Sequence, residues 1–173
     1  LRDFVIPDDY IDFSVRKDVM LDGRYLLAMG EPLCPELREV LYAAVRRHFS
    51  GRIFRRGIYA VTDGRHFESP AEIAMMQGHA DIVGQSLCPE VYLAREIGAC
   101  YAELSFTVNY GEGITRAWSH QKLEEIFYDD APMIGEILIE AIRRTPETPH
   151  CQCLAHRHQT LLRDVYDTSS SKG

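Results

Sequence analysis

Short runs of β-branched and other apolar residues alternate with stretches of helical periodicity along most of this chain, and this alternation constrains its fold more than any other feature. The candidate strands lie at 4–6, 57–62, 80–84 and 100–108. The candidate helices lie at 35–49, 70–78 and 89–98, with a further pair of helices within 119–144. Because the strand runs are mostly apolar, we expect helices to cover both faces of the sheet. The pattern therefore predicts an α/β fold, with a mostly parallel, twisted mixed sheet flanked by helices.

Proline and capping residues indicate where three of these helices begin. The tetrapeptide Leu-Cys-Pro-Glu occurs twice, beginning at Leu33 and at Leu87, and each copy places proline at the first helical position with an acid beside it. Ser69 and Glu72 have the spacing of a capping box, in which each side chain accepts a hydrogen bond from a backbone N–H. These signals predict helix starts at Pro35, Pro70 and Pro89.

Composition argues against several classes of protein. The 173 residues carry 19 Lys plus Arg against 26 Asp plus Glu, a net charge of -7 that does not suit a nucleic-acid-binding protein. The apolar runs are shorter than the roughly 20 residues that span a membrane, so no membrane partner is expected. Five cysteines without a framework spacing favour a reducing, cytoplasmic compartment. We expect residues 1–158 to belong to one domain and residues 159–173 to form a partly disordered tail.

Several motifs occur in a specific order between Gly57 and Glu96. They are GRHFESPAE at 64–72, ADIVGQS at 80–86, Pro-Glu at 89–90 and Ala-Arg at 94–95. In these motifs the chain resembles the purine nucleoside phosphorylases, specifically the trimeric branch that includes methylthioadenosine and methylthioinosine phosphorylases. Two upstream segments are similar to the methylthionucleoside members, FVIPD at 4–8 and EPLCP at 31–35. The resemblance covers most of residues 3–155.

The resemblance implies a nucleoside phosphorylase-like fold, in which residues 1–158 form the C-terminal part of a single domain. It implies an enzyme that uses phosphate to cleave the N-glycosidic bond of purine nucleosides or 5′-methylthionucleosides. It also implies a homotrimer, inorganic phosphate as co-substrate, and no metal or organic cofactor. The family's Gly-rich phosphate loop has no counterpart in this sequence. We therefore expect either a longer polypeptide or another chain to supply the phosphate-binding half.

The resemblance assigns catalysis and base recognition to Glu68 and Asn109. A carboxylate suits the N1–H of a 6-oxopurine and repels the lone pair that adenine presents there, and Glu68 lies beside the positive end of a capped helix. An Asn amide can accept a hydrogen bond from purine N7–H and donate another to O6. Adenine-preferring relatives carry Asp at the position of Asn109, often with a second Asp where this chain has Gly111. Both residues therefore predict a preference for 6-oxopurines.

Four further residues are expected to contact the substrates. By resemblance Phe67 stacks on the base and Ser86 donates to phosphate, while Gln85 replaces the usual Met beneath the ribose. His120, at a predicted helix start, matches the position at which nucleoside-preferring members bind the 5′-hydroxyl with a histidine. Arg65 replaces the proline of the family pattern, so the loop around it is expected to depart from the family's conformation.

Three alternatives stay open. The chain is similar to methylthioadenosine phosphorylases in its EPLCP segment, although Asn109 opposes that activity. A non-catalytic purine-binding fragment would keep the base pocket and lack the phosphate site. The third is a zinc module at 150–158, where Cys151 and Cys153 lie near three histidines in the sequence. That spacing is uncommon for structural zinc, and some family members end in a Cys-x-Cys that forms a disulfide or stays reduced, so we assign no metal ligand.

Overall fold

The computed structural model describes residues 1–21, 23–115 and 119–159. Within these ranges the strands are β1 (Phe4–Val5), β2 (Asp9–Asp12), β3 (Tyr25–Leu27), β4 (Ile53–Phe54), β5 (Ile58–Val61), β6 (Ile82–Gly84), β7 (Ser105–Phe106) and β8 (Arg157–Gln159). The helices are α1 (Pro35–His48), α2 (Pro70–Met76), α3 (Glu90–Ile97) and α4 (His120–Arg144), followed by a 3-10 turn at Cys153–His156.

The strands form three small sheets, of which one is entirely parallel. Strand β5 lies between β2 and β6 and is parallel to both, with Tyr59 opposite Tyr10 on one side and Ile82 on the other. Strand β1 pairs with β4 in parallel and with β7 in antiparallel orientation. Strands β3 and β8 form an antiparallel pair. The predicted α/β class, with mixed and mostly parallel pairing, is confirmed.

Strand β1 enters the core between helices α1 and α4. Phe4 is completely buried, and its ring lies 5.0 Å from that of Phe49 and 4.8 Å from that of Phe106. Around it pack Val45 from α1 and Ile137 from α4, both fully buried. This apolar contact fixes α4 against the sheet and holds β7 at the edge where the cavity described below is found.

The predicted helix starts are observed, with one shift. At α2, the Glu72 backbone N–H donates to Ser69 Oγ over 3.3 Å and the Ser69 backbone N–H donates to Glu72 Oε2 over 2.7 Å. Both halves of the capping box are therefore present. Helix α1 begins at Pro35 as predicted, whereas Pro89 caps α3 and precedes its first helical residue.

Two predictions about the C-terminal half are wrong. The predicted pair of helices within 119–144 is one helix of 25 residues that continues through Pro132. Ile126 and Ile137 are buried on either side of that proline, and their packing outweighs the one hydrogen bond that the ring removes. The strand predicted at 100–108 shrinks to β7, because the carbonyl of Tyr101 accepts a hydrogen bond from the N–H of Cys34 instead of joining a ladder.

Part of the predicted tail is ordered, and part of it is not described. Gln159 ends strand β8, whereas residues 160–173 lie outside the described residues. Among the residues that the structure describes, no helix is long and apolar enough to cross a lipid bilayer.

We expect Ile137→Ala to lower the free energy of unfolding by about 3 kcal/mol, because it removes buried contacts between α4 and β1. Ile142→Ala makes the same change on the same helix at a side chain that is 74% exposed. It should cost less than about 1 kcal/mol. Urea unfolding of the two variants measures the difference, and equal losses would contradict the packing of α4.

Candidate functional site

A cavity of about 670 Å³ opens between α2, β6 and β7. Its wall includes five of the six residues singled out from the sequence: Phe67, Glu68, Gln85, Ser86 and Asn109. They come from the loops that follow β5, β6 and β7. Because β5 and β6 are parallel, the carboxyl ends of these two strands lie at the same edge of the sheet. The fold therefore brings together residues that lie as much as 42 positions apart in the sequence, from Phe67 to Asn109.

Glu68 is the buried acid of this cavity, with 8% of its surface exposed. The Thr62 hydroxyl, at the end of β5, donates a hydrogen bond of 2.6 Å to Glu68 Oε1. Ser69 follows at once as the N-cap of α2, so Glu68 lies immediately before the N-terminus of a helix. Thr62 orients the carboxylate through one oxygen, and this leaves Oε2 as the acceptor for a ligand N–H.

The loop between β5 and Glu68 has a conformation that the family's proline could not adopt. Arg65 has a φ of 73°, in the left-handed region. Proline fixes φ near −65°, so replacement of the pattern's proline by Arg65 changes the backbone of this loop. Two residues later, Phe67 is 46% exposed on the cavity wall.

Gln85 and Ser86 follow β6 and lie side by side on the cavity wall. Gln85 Nε2 donates a weak hydrogen bond of 3.4 Å to the carbonyl of His66, which links this loop to the one before Glu68. The hydroxyls of Ser86 and Tyr59 are 3.3 Å apart. A Cβ at Gly84 would overlap the Tyr59 hydroxyl, so glycine is needed for this contact.

Asn109 lies beyond β7, and its Nδ2 donates a hydrogen bond of 3.1 Å to the carbonyl of Tyr110. Two positions later, a Cβ on Gly111 would lie 2.8 Å from Ile73 Cδ1 of α2. A larger side chain at position 111 therefore requires Ile73 to move.

His120 is the first residue of α4, and its side chain lies outside the described part of the structure. The helix start itself agrees with the sequence prediction, since the Ser119 hydroxyl accepts a hydrogen bond from the Lys122 N–H. The expected contact of His120 with a 5′-hydroxyl stays a prediction.

Sequence reasoning missed Glu103, a half-buried acid on the cavity wall. Burial raises the pKa of Glu103 to about 7, although the Ser105 hydroxyl, which donates toward both carboxylate oxygens, lowers it in part. Burial also raises the pKa of Tyr59, the hydrogen bond with Ser86 lowers it, and the charge of Glu103 raises it further. The negative charge of Glu103 therefore reaches the hydroxyl pair formed by Tyr59 and Ser86. The backbone of residues 100–104 is irregular, so no periodicity in the sequence indicated that Glu103 lies on the cavity wall.

The cavity wall is acidic. Arg52 is the one basic side chain among the described residues of the wall, and it is paired with Asp3 through bonds of 3.1 and 2.8 Å. Five acids share this wall with it: Asp3, Glu68, Asp81, Glu103 and Glu112. Such a surface suits hydrogen-bond donors and repels anions.

We expect Glu103→Gln to stabilise the protein at pH 8 by about 2 kcal/mol relative to its effect at pH 5. The folded state raises the pKa of this acid, so its ionisation destabilises the fold progressively above pH 4.5 and fully above about pH 7. Glutamine removes that charge. Urea unfolding at both pH values measures the difference, with the exposed Glu147→Gln as control. An equal effect of Glu103→Gln at the two pH values would contradict this assignment.

Comparison with known proteins identifies the family of this chain. The sequence model of the phosphorylase superfamily matches residues 1–143. A probable S-methyl-5′-thioinosine phosphorylase of Methanosarcina acetivorans is 39% identical over 154 residues, which are 87% of this chain and 58% of that protein. A probable 6-oxopurine nucleoside phosphorylase of Dictyoglomus turgidum is 34% identical over 87% of this chain and 59% of that protein.

The fold also matches a solved structure. The methylthioadenosine phosphorylase of Schistosoma mansoni in complex with tubercidin superposes with a TM-score of 0.71 at 23% identity, over 82% of this chain and 58% of that one. The chain thus spans less than two thirds of the length of the relatives it matches. Over most of its own length, however, this chain matches the sequence model, the relatives and the fold of the same family. The chain belongs to the phosphorylase superfamily.

Proposed function

We propose that the protein containing this chain cleaves the N-glycosidic bond of 6-oxopurine nucleosides, or of their 5′-methylthio derivatives, with inorganic phosphate. The products are the free base and ribose 1-phosphate or methylthioribose 1-phosphate. The observation that carries the proposal is that the buried Glu68 carboxylate and the Asn109 amide line one cavity of about 670 Å³. The names of the relatives, which include a probable methylthioinosine phosphorylase and a probable 6-oxopurine phosphorylase, support it.

Base selection in this proposal depends on Glu68. Thr62 holds one carboxylate oxygen, and the other accepts the N1–H of hypoxanthine or guanine. Adenine presents a lone pair at N1, and a buried carboxylate facing a lone pair leaves two acceptors without a donor. A mismatch of this kind costs about 1–3 kcal/mol, which corresponds to a preference of roughly 5- to 150-fold.

Asn109 stabilises the leaving group. A phosphate oxygen attacks C1′ while the C1′–N9 bond breaks, and the electron pair of that bond passes to the purine ring. The purine gains a proton from solvent at N7, where Asn109 Oδ1 accepts the N7–H. Asn109 Nδ2 exchanges its bond to the Tyr110 carbonyl for one to the purine O6. The O6 contact strengthens as the base gains negative charge, and the N7 contact forms only as N7 is protonated, so both favour the transition state over the bound nucleoside.

Sugar and phosphate are held by the other side of the site. Gln85 hydrogen-bonds the sugar hydroxyls, Ser86 donates to phosphate, and His120 contacts the 5′ position. The acidic wall favours a phosphate site built mainly by residues beyond those described. The relatives are longer than this chain, and the proposed homotrimer offers a second source of such residues.

Two alternative functions would use Glu68 and Asn109 differently. A methylthioadenosine phosphorylase would have to place adenine N1 against Glu68, which the carboxylate disfavours. A non-catalytic purine-binding fragment would bind base through Glu68 and Asn109 without turning over nucleoside.

We expect the complete natural protein to release hypoxanthine from inosine or methylthioinosine in a phosphate-dependent reaction. Adenine release from methylthioadenosine should be at least about tenfold slower, because Glu68 opposes adenine N1. Base release with the three substrates side by side, with and without phosphate, measures this. The ratio of inosine to methylthioinosine turnover reports the 5′ preference. Adenine released fastest would contradict the role of Glu68, and purine binding without turnover would favour the non-catalytic fragment.

Asn109→Asp is expected to shift kcat/KM toward 6-aminopurine substrates by about tenfold or more, since a carboxylate accepts from the 6-amino group and cannot donate to O6. Gln77→Glu adds a carboxylate to the wall of the same cavity and is the control for charge. It should leave the ratio of methylthioinosine to methylthioadenosine turnover unchanged. The same ratio in wild type and Asn109→Asp would remove Asn109 from the base site.

A further inference from the structure

Four of the five cysteines converge at one point of the fold, although they come from three separate segments of the sequence. Their Sγ atoms all lie within 4.8 Å of one another, and they belong to Cys34, Cys100, Cys151 and Cys153. Cys34 and Cys153 are buried, whereas Cys100 and Cys151 are half-buried. The histidines that prompted the zinc alternative in the sequence are not part of this group, which contains cysteines alone within the described residues.

Interactions that do not involve sulfur hold two of these segments together. Arg95 of α3 is only 2% exposed, and its Nη1 donates to the carbonyl of Cys153 over 3.2 Å. Its Nη2 donates to the carbonyls of Glu31 and Pro32 over 2.6 and 3.1 Å. One buried guanidinium therefore ties the C-terminal cysteine segment to the loop that carries Cys34.

Two further hydrogen bonds complete this frame. The N–H of Cys34 donates to the carbonyl of Tyr101 over 2.7 Å, which holds the residue after Cys100 against the start of α1. The N–H of His150 donates to Glu36 Oε2 over 2.9 Å, which places the adjoining Cys-x-Cys segment at the same helix start. The frame brings the sulfur atoms together in the fold itself, so a metal ion would find its ligands preorganised.

The sulfur positions fit a mononuclear tetrahedral centre. With Zn–S bonds of about 2.3 Å, the sulfurs of a zinc tetrathiolate lie about 3.8 Å apart. The observed separations are all within 4.8 Å, and that between Cys100 and Cys151 is 3.2 Å, so the group spans that size and reaches it by small shifts in both directions. Thiolates are soft ligands, and a tetrahedral set of four sulfurs is typical of zinc or of iron–sulfur centres; of these, zinc requires no redox chemistry.

We propose that Cys34, Cys100, Cys151 and Cys153 bind one Zn²⁺ ion as four thiolates. Zinc displaces the four thiol protons, which pass to solvent, and no oxidant or reductant takes part. The ion would link the start of α1, the segment after α3 and the C-terminal segment. Cys100 begins the stretch that leads to Glu103 and Asn109, so the site would anchor one wall of the cavity. The proposal does not depend on the proposed function.

Disulfide formation is the competing chemistry of this group. The sulfurs of Cys100 and Cys151 are 3.2 Å apart, longer than the roughly 2.05 Å of a disulfide bond. A disulfide joins sulfurs in pairs, whereas all four of these sulfurs lie within 4.8 Å of one another. The geometry therefore favours a single shared ligand over separate pairs.

The test is zinc content. The complete natural protein is produced in zinc-supplied cells, purified under reducing conditions without chelators, and analysed by elemental mass spectrometry. Wild type should retain about one zinc per chain at this site, and Cys151→Ser less than about a tenth of that. Cys88→Ser removes a buried cysteine outside the group and is the matched control, so it should retain the zinc.

A second readout does not depend on how well each variant folds. Cobalt(II) added to the reduced wild-type protein should give the visible d–d bands and near-ultraviolet charge-transfer absorption of a tetrahedral thiolate site. Reduced protein that holds neither zinc nor cobalt, with all four thiols open to alkylation, would overturn the proposal. So would zinc retained in full by Cys151→Ser. A disulfide between Cys100 and Cys151 in protein purified without an oxidant, found by non-reducing peptide mapping, would also overturn it.

Discussion

The hydrogen bond from Thr62 to Glu68 joins the end of a buried parallel strand to the first turn of a capped helix, and the candidate site depends on it. A carboxylate that is 8% exposed must be oriented by a donor, because an unpaired buried charge is costly. Pairing of β5 with β6 then sets Gln85 and Ser86 at the same edge of the sheet. In the proposed function, this bond sets where the N1 of a bound purine would lie.

The charge of the cavity wall suits the proposed binding of the base and does not suit the binding of phosphate. The described cavity wall is rich in acids, and its basic side chain, Arg52, is already paired with Asp3. Such a wall accepts the N–H groups of a purine and offers little to an incoming phosphate. Glu103 adds to this above about pH 7, because burial raises its pKa to about 7 and it is ionised only above that pH. In the proposed function, this chain supplies the base half of the site, and residues beyond those described complete the phosphate half.

Local signals in the sequence predicted the parts of the fold that depend on neighbouring residues. The capping box at Ser69 and the proline at the start of α1 act within one turn, so their residues identify those helix starts. Glu68 and Asn109 were found through motifs, and the fold places both on one cavity. The relation of Cys34 to Cys151 had no local signal, because a buried arginine more than 50 residues from either one assembles that group. The sequence predicted a pair of helices where α4 is one, because helix length depends here on the burial of Ile126 and Ile137 on either side of Pro132, which is a tertiary contact.

The most direct test of the account is a crystal structure of the complete protein with hypoxanthine and phosphate. The account predicts the purine in the cavity between α2, β6 and β7, with a Glu68 carboxylate oxygen within about 3.2 Å of N1. The Asn109 amide should lie at the same distance from N7 and O6. A purine bound elsewhere, or one whose N1 faces solvent while Glu68 bonds only to Thr62, would contradict it.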